Sequence, residues 1–292
     1  MVPSGVAGQL VSAAGRPRLI LLGTKGGPTP SRYRAPATCA LVVGTTTVLI
    51  DCPDGVARQL VLAGVDPTSV KAIFISHHHS DHVAGLGAFL MLAWGAGLKS
   101  KIDVYGPPPL HRILRAELDA AGPDLAYRMR EEGRPNLRKL VQSHELIGRQ
   151  QQEMAPSLRI TSVPVNHYTV PARAYRFDVA GRSFVISGDT APSQALVTLA
   201  RDCDVLVHEA MYLPALDRLT DGNAPSLRDH LLKSHTTTEQ LGELAAAANV
   251  GKVVLSHLVP AFADITDVMW AEGVRKAYKG EVIIGRDLME ID

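Results

Sequence analysis

Seven consecutive residues, SHHHSDH at 76–82, hold four of the eleven histidines in this 292-residue chain. The apolar run VKAIFI precedes them and VAGLGAFLML follows, which predicts a buried strand and then a helix. The cluster is therefore expected on a strand-to-helix turn, where side chains converge and stay accessible. Open α/β sheets place ligand and catalytic groups at such turns.

The spacing within this segment predicts metal binding, because imidazole and carboxylate groups are ligands of zinc and similar divalent ions. Residues two apart in an extended segment point the same way, so His77 and His79 can reach one ion. Asp81 and His82, beyond the bend, would face a neighbouring ion. Two ions need further ligands from distant segments. Four candidates end later apolar runs: His167, Asp189, His208 and His257.

Composition favours a globular protein without a polyanion-binding surface. Hydrophobic residues make up 46% and charged residues 20%, and the net charge is +1. The three cysteines are widely spaced and are expected to be reduced core residues. The N-terminal residues lack signal-peptide features, and no run reaches the roughly 18 apolar residues of a membrane span. We expect a soluble, cytoplasmic protein with no membrane partner.

The sequence predicts two similar halves, each with strands followed by helices. EVIIG is predicted as the closing strand, and residues 211–234 are predicted to be irregular. This organisation predicts one α/β domain over residues 1–292, folded as a four-layer αββα sandwich. Residues 109–157 have helical spacing and predict a helical insertion. Residues 128–149 include six Arg or Lys residues and three Glu residues. The insertion is either a solvated helical segment or a lid over the active site.

The order H-x-H-x-D-H, a lone His, Gly-Asp-Thr and a lone His resembles the metallo-β-lactamase fold superfamily, from LLGTKGGPTP to LSHLVP. The resemblance implies two Zn²⁺ per chain, with Mn²⁺ or Fe²⁺ as alternatives, and a hydroxide between the ions as nucleophile. By this resemblance the first ion is held by His77, His79 and His167, the second by Asp81, His82 and His257, and Asp189 bridges them. His78 is extra to the motif and is expected to pack or hydrogen-bond behind the ligands.

Further segments resemble one branch of that superfamily. The di-iron flavoproteins of this fold have Glu where His79 stands, and the lactamases proper have Cys where Asp189 stands. GTKGGPTPSR, DCDVLVHEAMY and SHTTTEQLGELA resemble the ribonuclease Z and arylsulfatase-like branch. The chain departs from the pattern of that branch at two positions. The pattern has Thr where this chain has Met211, and Ser where this chain has Thr236.

The same resemblance implies a proton donor for the leaving group, His235, supported by Glu209, with Asp81 as a further catalytic residue. Thr236 and Glu239 fit an S/T-x-x-E capping box, which predicts His235 directly before a helix. The positive helix end would lower the His235 pKa, and a nearby carboxylate would restore it. In the alternative interpretation His235 only caps the helix and Glu209 is solvated.

The substrate is inferred from what the chain lacks. Ribonuclease Z enzymes typically carry a long basic arm after the third-motif histidine, but only 22 positions separate His167 from Asp189 (189 − 167), and two strands with their turn fill them. The sequence therefore favours a hydrolase of a small organic ester: a phosphodiester, an aryl sulfate, or a carboxylic ester or lactone. A ribonuclease Z-type endonuclease that processes the 3′ end of transfer RNA precursors is the alternative. A non-catalytic metal-binding protein is the second alternative, and a homodimer is left open.

Overall fold

The computed structural model describes residues 16–155 and 158–292. The strands of its first half are β1 (Arg18–Gly23), β2 (Thr38–Val43), β3 (Thr46–Ile50), β4 (Val70–Phe74), β5 (Ile102–Gly106), β6 (Val141–Glu145) and β7 (Gln150–Ala155). Those of its second half are β8 (Leu158–His167), β9 (Val170–Val179), β10 (Arg182–Ile186), β11 (Val205–Met211), β12 (Lys252–Val259), β13 (Glu281–Ile284) and β14 (Met289–Ile291).

The helices surround these strands. The first six are α1 (Val56–Leu62), α2 (Ser80–Val83), α3 (Leu86–Gly95), α4 (Leu110–Ala120), α5 (Gly122–Glu132) and α6 (Leu137–Leu140). The others are α7 (Gln194–Ala200), α8 (Leu216–Thr220), α9 (Leu227–Ser234), α10 (Thr238–Ala248) and α11 (Asp267–Arg275), with 3₁₀ turns at Pro67–Ser69 and Leu213–Ala215. Within the described ranges no helix is both long and apolar enough to cross a membrane.

Two seven-stranded sheets form the centre of the molecule, in the orders β14-β1-β2-β3-β4-β5-β6 and β13-β12-β11-β10-β9-β8-β7. An apolar core that includes Phe74, Tyr175 and Phe177 fills the space between them. A second core joins the first sheet to α1, α3 and α4, and a third joins the other sheet to α7, α10 and α11. The four-layer αββα sandwich is therefore confirmed.

One edge of this sandwich gathers strand ends from both sheets. In the first sheet β3, β4, β5 and β6 run parallel, and in the second β10, β11, β12 and β13 do. Strand β8 runs antiparallel to β9, which runs antiparallel to β10, so β8 also ends at this edge. The carboxyl ends of parallel strands are where α/β folds bind ligands.

The predicted helical insertion is only partly correct. Residues 110–132 are helical, but 141–145 and 150–155 form the outermost strands β6 and β7 of the two sheets. Pairing with β5 and β8 overrides the helical spacing of this polar segment, as tertiary context often does at sheet edges. Leu110, Leu114, Leu118 and Leu125 of α4 and α5 are buried in the core of the outer helical layer, so these helices are not a solvated segment, and the lid stays a prediction. The segment is an integral part of the sandwich.

The segment 211–234 is more regular than its sequence suggests. Two short helices, α8 and α9, follow the 3₁₀ turn that begins at Leu213. Their small apolar cluster includes Leu216, Leu231 and Val259. These helices have only five and eight residues, with Gly222 and Asn223 between them. They are therefore too short for a helical pattern of apolar residues to be recognised in the sequence.

Candidate metal centre

The segment SHHHSDH lies where the sequence placed it, between the end of β4 at Phe74 and the start of α3 at Leu86. His77 and His82 are fully buried and His79 is partly exposed. The extended backbone at His79, with φ −67° and ψ 151°, gives way to the short helix α2. The bend brings His77 and His79 into one group of candidate ligands and Asp81 and His82 into another, and the rings of His77 and His82 are themselves 4.1 Å apart.

Three imidazoles form the first cluster. His77, His79 and His167 each offer a ring nitrogen, and these nitrogens lie within 4.8 Å of one another. His79 Nδ1 is 2.9 Å from His77 Nε2 and 3.1 Å from His167 Nε2. Burial is the main cause that lowers the pKa of all three, that of His167 to about 4. Neutral imidazoles with their lone pairs turned together are a donor set suited to a divalent ion.

Asp81, His82 and His257 form the second cluster within the same 4.8 Å limit. His257 Nε2 lies 3.3 Å and His82 Nε2 3.7 Å from Asp81 Oδ2. Burial opposes ionisation of Asp81, but the contacts with His257 and His82 outweigh it and lower the Asp81 pKa. A carboxylate and two imidazoles are again ligands suited to a divalent ion.

A β-bulge aims His257 into this cluster. Residue 209 pairs with 256 and residue 210 with 258, so His257 is the extra residue of β12, and its φ is +42°. The loop after β1 lies against its ring, because a Cβ at Gly26 would stand 2.8 Å from His257 Nδ1. The glycines of GTKGG thus allow this loop to pack on a candidate ligand.

Asp189 lies between the two clusters. Its Oδ2 is 3.8 Å from His77 Nε2, 3.4 Å from His82 Nε2 and 3.2 Å from His257 Nε2. Its Oδ1 is buried and has no hydrogen-bond partner among the described residues. Burial would raise the Asp189 pKa, but His257 and His82 hold it well below the usual range. A buried, ionised carboxylate that faces both clusters is suited to bridge two ions.

Neighbouring groups fix the orientation of three of these histidines. His82 Nδ1 donates to Asp51 Oδ2 (2.8 Å), and His167 Nδ1 donates to the Ser234 carbonyl oxygen (2.9 Å). His77 Nδ1 lies 3.1 Å from the hydroxyl of Ser76, which itself donates to Asp51. Because each Nδ1 is occupied, Nε2 is the ring atom that faces the cluster, as metal-binding histidines require. Sequence reasoning missed these orienting groups.

We predict that Asp51→Asn weakens metal binding by about 10- to 100-fold, because His82 then loses its carboxylate acceptor. Titration of the metal-free protein with Zn²⁺ measures this change. Asp103→Asn is the matched control, since Asp103 accepts from His144 at 2.7 Å in a pair outside both clusters. Equal affinities of the Asp51 and Asp103 variants would contradict the orienting role.

The structure also brings together the predicted proton donor and its partner. His235 Nδ1 donates to Glu209 Oε2 (2.8 Å), while Glu209 Oε1 accepts from the Thr190 N–H (2.6 Å). Both side chains are buried. A ring nitrogen of His235 lies within 4.8 Å of ligand atoms of His167 and Asp189. Burial lowers the His235 pKa, but Glu209 outweighs it and raises the pKa to about 9.

The predicted helix cap is one residue out of register. Thr237 caps α10 in a capping box with Gln240, instead of Thr236 with Glu239. The hydroxyl of Thr236 donates to the Thr190 carbonyl oxygen (2.6 Å), and its own carbonyl accepts from Met211, so this residue is bound to the sheet. His235 instead follows the last residue of α9, where the negative helix end favours an imidazolium.

Two further histidines of the motifs lie outside the clusters. His78 Nε2 donates to the Pro107 carbonyl oxygen (2.7 Å), consistent with the expected packing position. His208 is buried, its Nδ1 donates to the Glu209 carbonyl oxygen (2.7 Å), and burial lowers its pKa to about 4. Neither belongs to a group of described residues that could hold an ion.

One histidine at the site gave no signal in the sequence. The ring of His230, on α9, has its centroid 6.2 Å from those of His79 and His167 and 6.5 Å from that of His235. Its side chain is partly exposed. It lies in the segment interpreted as irregular, where a lone histidine is more often a surface residue.

Comparison with known proteins gives the family. The profile of the Beta-lactamase superfamily domain matches residues 46–258, most of the chain. The chain belongs to the β-lactamase superfamily. It is a metal-dependent hydrolase of the metallo-β-lactamase fold, and its His and Asp clusters are candidate sites for divalent ions.

Proteins named ribonuclease Z match more than nine tenths of the chain. It is 27% identical to a ribonuclease Z of Mycobacterium bovis (strain BCG / Pasteur 1173P2), covering 94% of this chain and 97% of the relative. It is 30% identical to a ribonuclease Z of Mycobacterium sp. (strain KMS), covering 93% and 94%.

Solved structures of the superfamily have the same fold. The metallo-β-lactamase fold protein YhfI from Bacillus subtilis has a TM-score of 0.71 at 19% identity, covering 94% of this chain and 98% of that chain. Human tRNase Z, short form, has a TM-score of 0.69 at 20% identity, with the same coverage.

Proposed function

We propose that this protein is a ribonuclease Z-type endonuclease that hydrolyses a phosphodiester bond at the 3′ end of transfer RNA precursors. The observation that carries the proposal is the similarity to two mycobacterial proteins named ribonuclease Z, at 27% and 30% identity over 94% and 93% of this chain. The sequence alone favoured a small organic ester. These relatives favour the alternative, because the match covers 93–94% of this chain and 94–97% of theirs.

The proposed ions are two zinc ions, one in each cluster. The all-imidazole first cluster supports zinc over magnesium or calcium, which prefer oxygen ligands. The described carboxylates of the site, Asp51, Asp81 and Asp189, form ion pairs only with histidines, so the buried negative charge calls for cations. When bound, such ions polarise a phosphoryl oxygen and lower the pKa of water.

The residues of this chain then have separate tasks. Asp81, Asp189 and the histidines of the clusters hold and orient the ions. Glu209, which Thr190 holds by its backbone N–H, orients His235 through Nδ1. This leaves the Nε2–H of His235 free to protonate the oxygen of the leaving group. A pKa raised to about 9 keeps His235 protonated at neutral pH, as a general acid must be.

A small phosphodiester is the second candidate substrate, and one observation favours it. Strands β8, β9 and β10 follow one another with only residues 168–169 and 180–181 between them. The interval between His167 and Asp189 thus holds no arm for RNA, as the sequence predicted.

Cleavage of a transfer RNA precursor tests the proposal. We expect the zinc-loaded protein to cut such a precursor at a defined position near its 3′ end. Its affinity for the precursor should fall steeply as the salt concentration rises, because binding releases counterions from the phosphates. Bis(p-nitrophenyl) phosphate, p-nitrophenyl sulfate and p-nitrophenyl acetate test the small-ester alternatives. The metal-stripped protein is the control. Turnover of a small ester without cleavage of the precursor would overturn the RNA assignment, and no turnover of any substrate would overturn the hydrolase mechanism.

A further inference from the structure

Helix α9 is held against the first cluster by its carboxyl end. The carbonyl oxygen of Ser234 accepts from His167 Nδ1 (2.9 Å), and His235 follows directly. His230 lies one turn earlier on the same helix, with Nδ1 3.4 Å from the Ser234 hydroxyl. Side chains four residues apart lie on one helix face, so the helix that orients His167 also brings His230 over the site.

The distances show that His230 is not part of the cluster beneath it. The rings of His77, His79 and His167 have centroids 4.6–4.9 Å apart. His230 is 6.2 Å from the rings of His79 and His167, and it belongs to no described group that could hold an ion. Its Nε2 makes no hydrogen bond to a described residue. The imidazole therefore lies beside the candidate ligands of the first cluster without being one of them.

An aromatic side chain and a cation adjoin His230. Tyr168 follows His167 directly, has φ +53° and leaves 55% of its surface exposed. Its ring centroid is 6.4 Å from that of His230, and Lys233 Nζ is 5.6 Å from the same ring. Lys233 Nζ also lies 3.9 Å from Asp229 Oδ2. An exposed aromatic ring beside a cation is the kind of surface on which nucleobases stack.

We propose that His230, Tyr168 and Lys233 form a nucleotide-binding rim above the first cluster. His230 donates a hydrogen bond to an oxygen of the scissile phosphate. Tyr168 stacks on the base of the nucleotide that carries this phosphate, and Lys233 attracts a neighbouring phosphate. This proposal rests on one part of the proposed function, namely that the substrate is a nucleotide phosphodiester. It holds equally for an RNA and for a small nucleotide ester.

Two small esters with the same leaving group test the rim without RNA. The p-nitrophenyl ester of uridine 5′-monophosphate carries a base, and methyl p-nitrophenyl phosphate carries none. For Tyr168→Ala we expect KM to rise about 5- to 150-fold on the uridine ester, the range for loss of one stacked base, and to stay unchanged on the methyl ester. For His230→Ala we expect KM to rise on both esters, and His230→Gln to restore part of the loss. Metal content should match that of the wild type in every variant.

Tyr127→Ala is the matched control, since Tyr127 is also 55% exposed and has Arg130 5.4 Å from its ring, but it lies on α5 in the outer layer. If turnover is too slow, binding of uridine 5′-monophosphate and of methyl phosphate to the zinc-loaded protein gives the same comparison. Equal effects of Tyr168→Ala on both esters, or no effect of His230→Ala, would overturn the rim. Failure to cleave transfer RNA precursors with the ester pattern intact would overturn only the RNA assignment.

Discussion

Replacing Asp189 with alanine is expected to remove metal from the protein and to abolish its hydrolase activity. Asp189 Oδ2 lies within 3.2–3.8 Å of Nε2 atoms in His77, His82 and His257, so its loss affects both clusters at once. The loss of metal affinity should exceed the roughly 10- to 100-fold that follows removal of a group behind the ligands. Elemental analysis of the purified variant and turnover of bis(p-nitrophenyl) phosphate measure the two effects.

Two comparisons separate loss of the bridge from loss of the fold. Asp189→Asn keeps the size of the side chain but removes its charge, and it should lose metal as well, since a neutral amide is a poor bridge between cations. His78→Ala removes a histidine from the same site segment, but His78 donates to Pro107 instead of facing the clusters, so this variant should retain metal. Circular dichroism should show folded protein for each. Full metal content and activity in Asp189→Ala would refute the proposed metal centre.

The structure brings the sequence-predicted candidate ligands together because their geometry follows from local rules. His77, His79, Asp81 and His82 share one turn, and their alternation along the chain sets which way each points. The distant candidates lie at or near the ends of apolar strands, which the sandwich brings to one edge. His208 was also a candidate by this criterion, yet it lies outside the clusters, because position along a strand does not fix which way a side chain faces.

The groups behind the ligands could not be predicted in the same way. The acceptor for His167 is the carbonyl of Ser234, and any residue type supplies a carbonyl, so no side chain marks the position. Asp51 ends an apolar strand much as the candidate ligands do, but its role depends on the contact of β3 with the turn after β4. Tertiary contacts of this kind leave no pattern in the sequence.

Secondary structure was mispredicted where tertiary pairing or short length decides it. Residues 141–145 and 150–155 have helical spacing but form edge strands, because they pair with β5 and β8. The closing strand is β14, not EVIIG, and its three residues pair with β1. A run of three residues is too short for periodicity to indicate a strand.

Replacing His235 with alanine is expected to lower kcat by about 10²- to 10⁴-fold on a phosphodiester with a poor leaving group, the usual range for loss of a general acid. The buried Glu209 carboxylate, 2.8 Å from His235 Nδ1, keeps the imidazole protonated and oriented. An alkoxide leaving group needs that proton, whereas p-nitrophenolate is stable without it. The loss should therefore be much smaller on bis(p-nitrophenyl) phosphate than on a dinucleotide or an RNA.

The pair of residues offers its own control. Glu209→Gln keeps a hydrogen-bonding group beside His235 but removes the charge that raises the His235 pKa to about 9. His235 is protonated below its pKa, so activity on the poor leaving group is lost as the pH rises through that value. Loss of the Glu209 charge lowers the His235 pKa and should therefore move this loss of activity to a lower pH. With bis(p-nitrophenyl) phosphate as substrate, the shift of the pH profile should be weak or absent. Metal content should stay at the wild-type level, since His235 and Glu209 are outside the proposed ligand set. If both variants lost equal activity on both kinds of leaving group, His235 would act in positioning the substrate and the proton would have to come from another group.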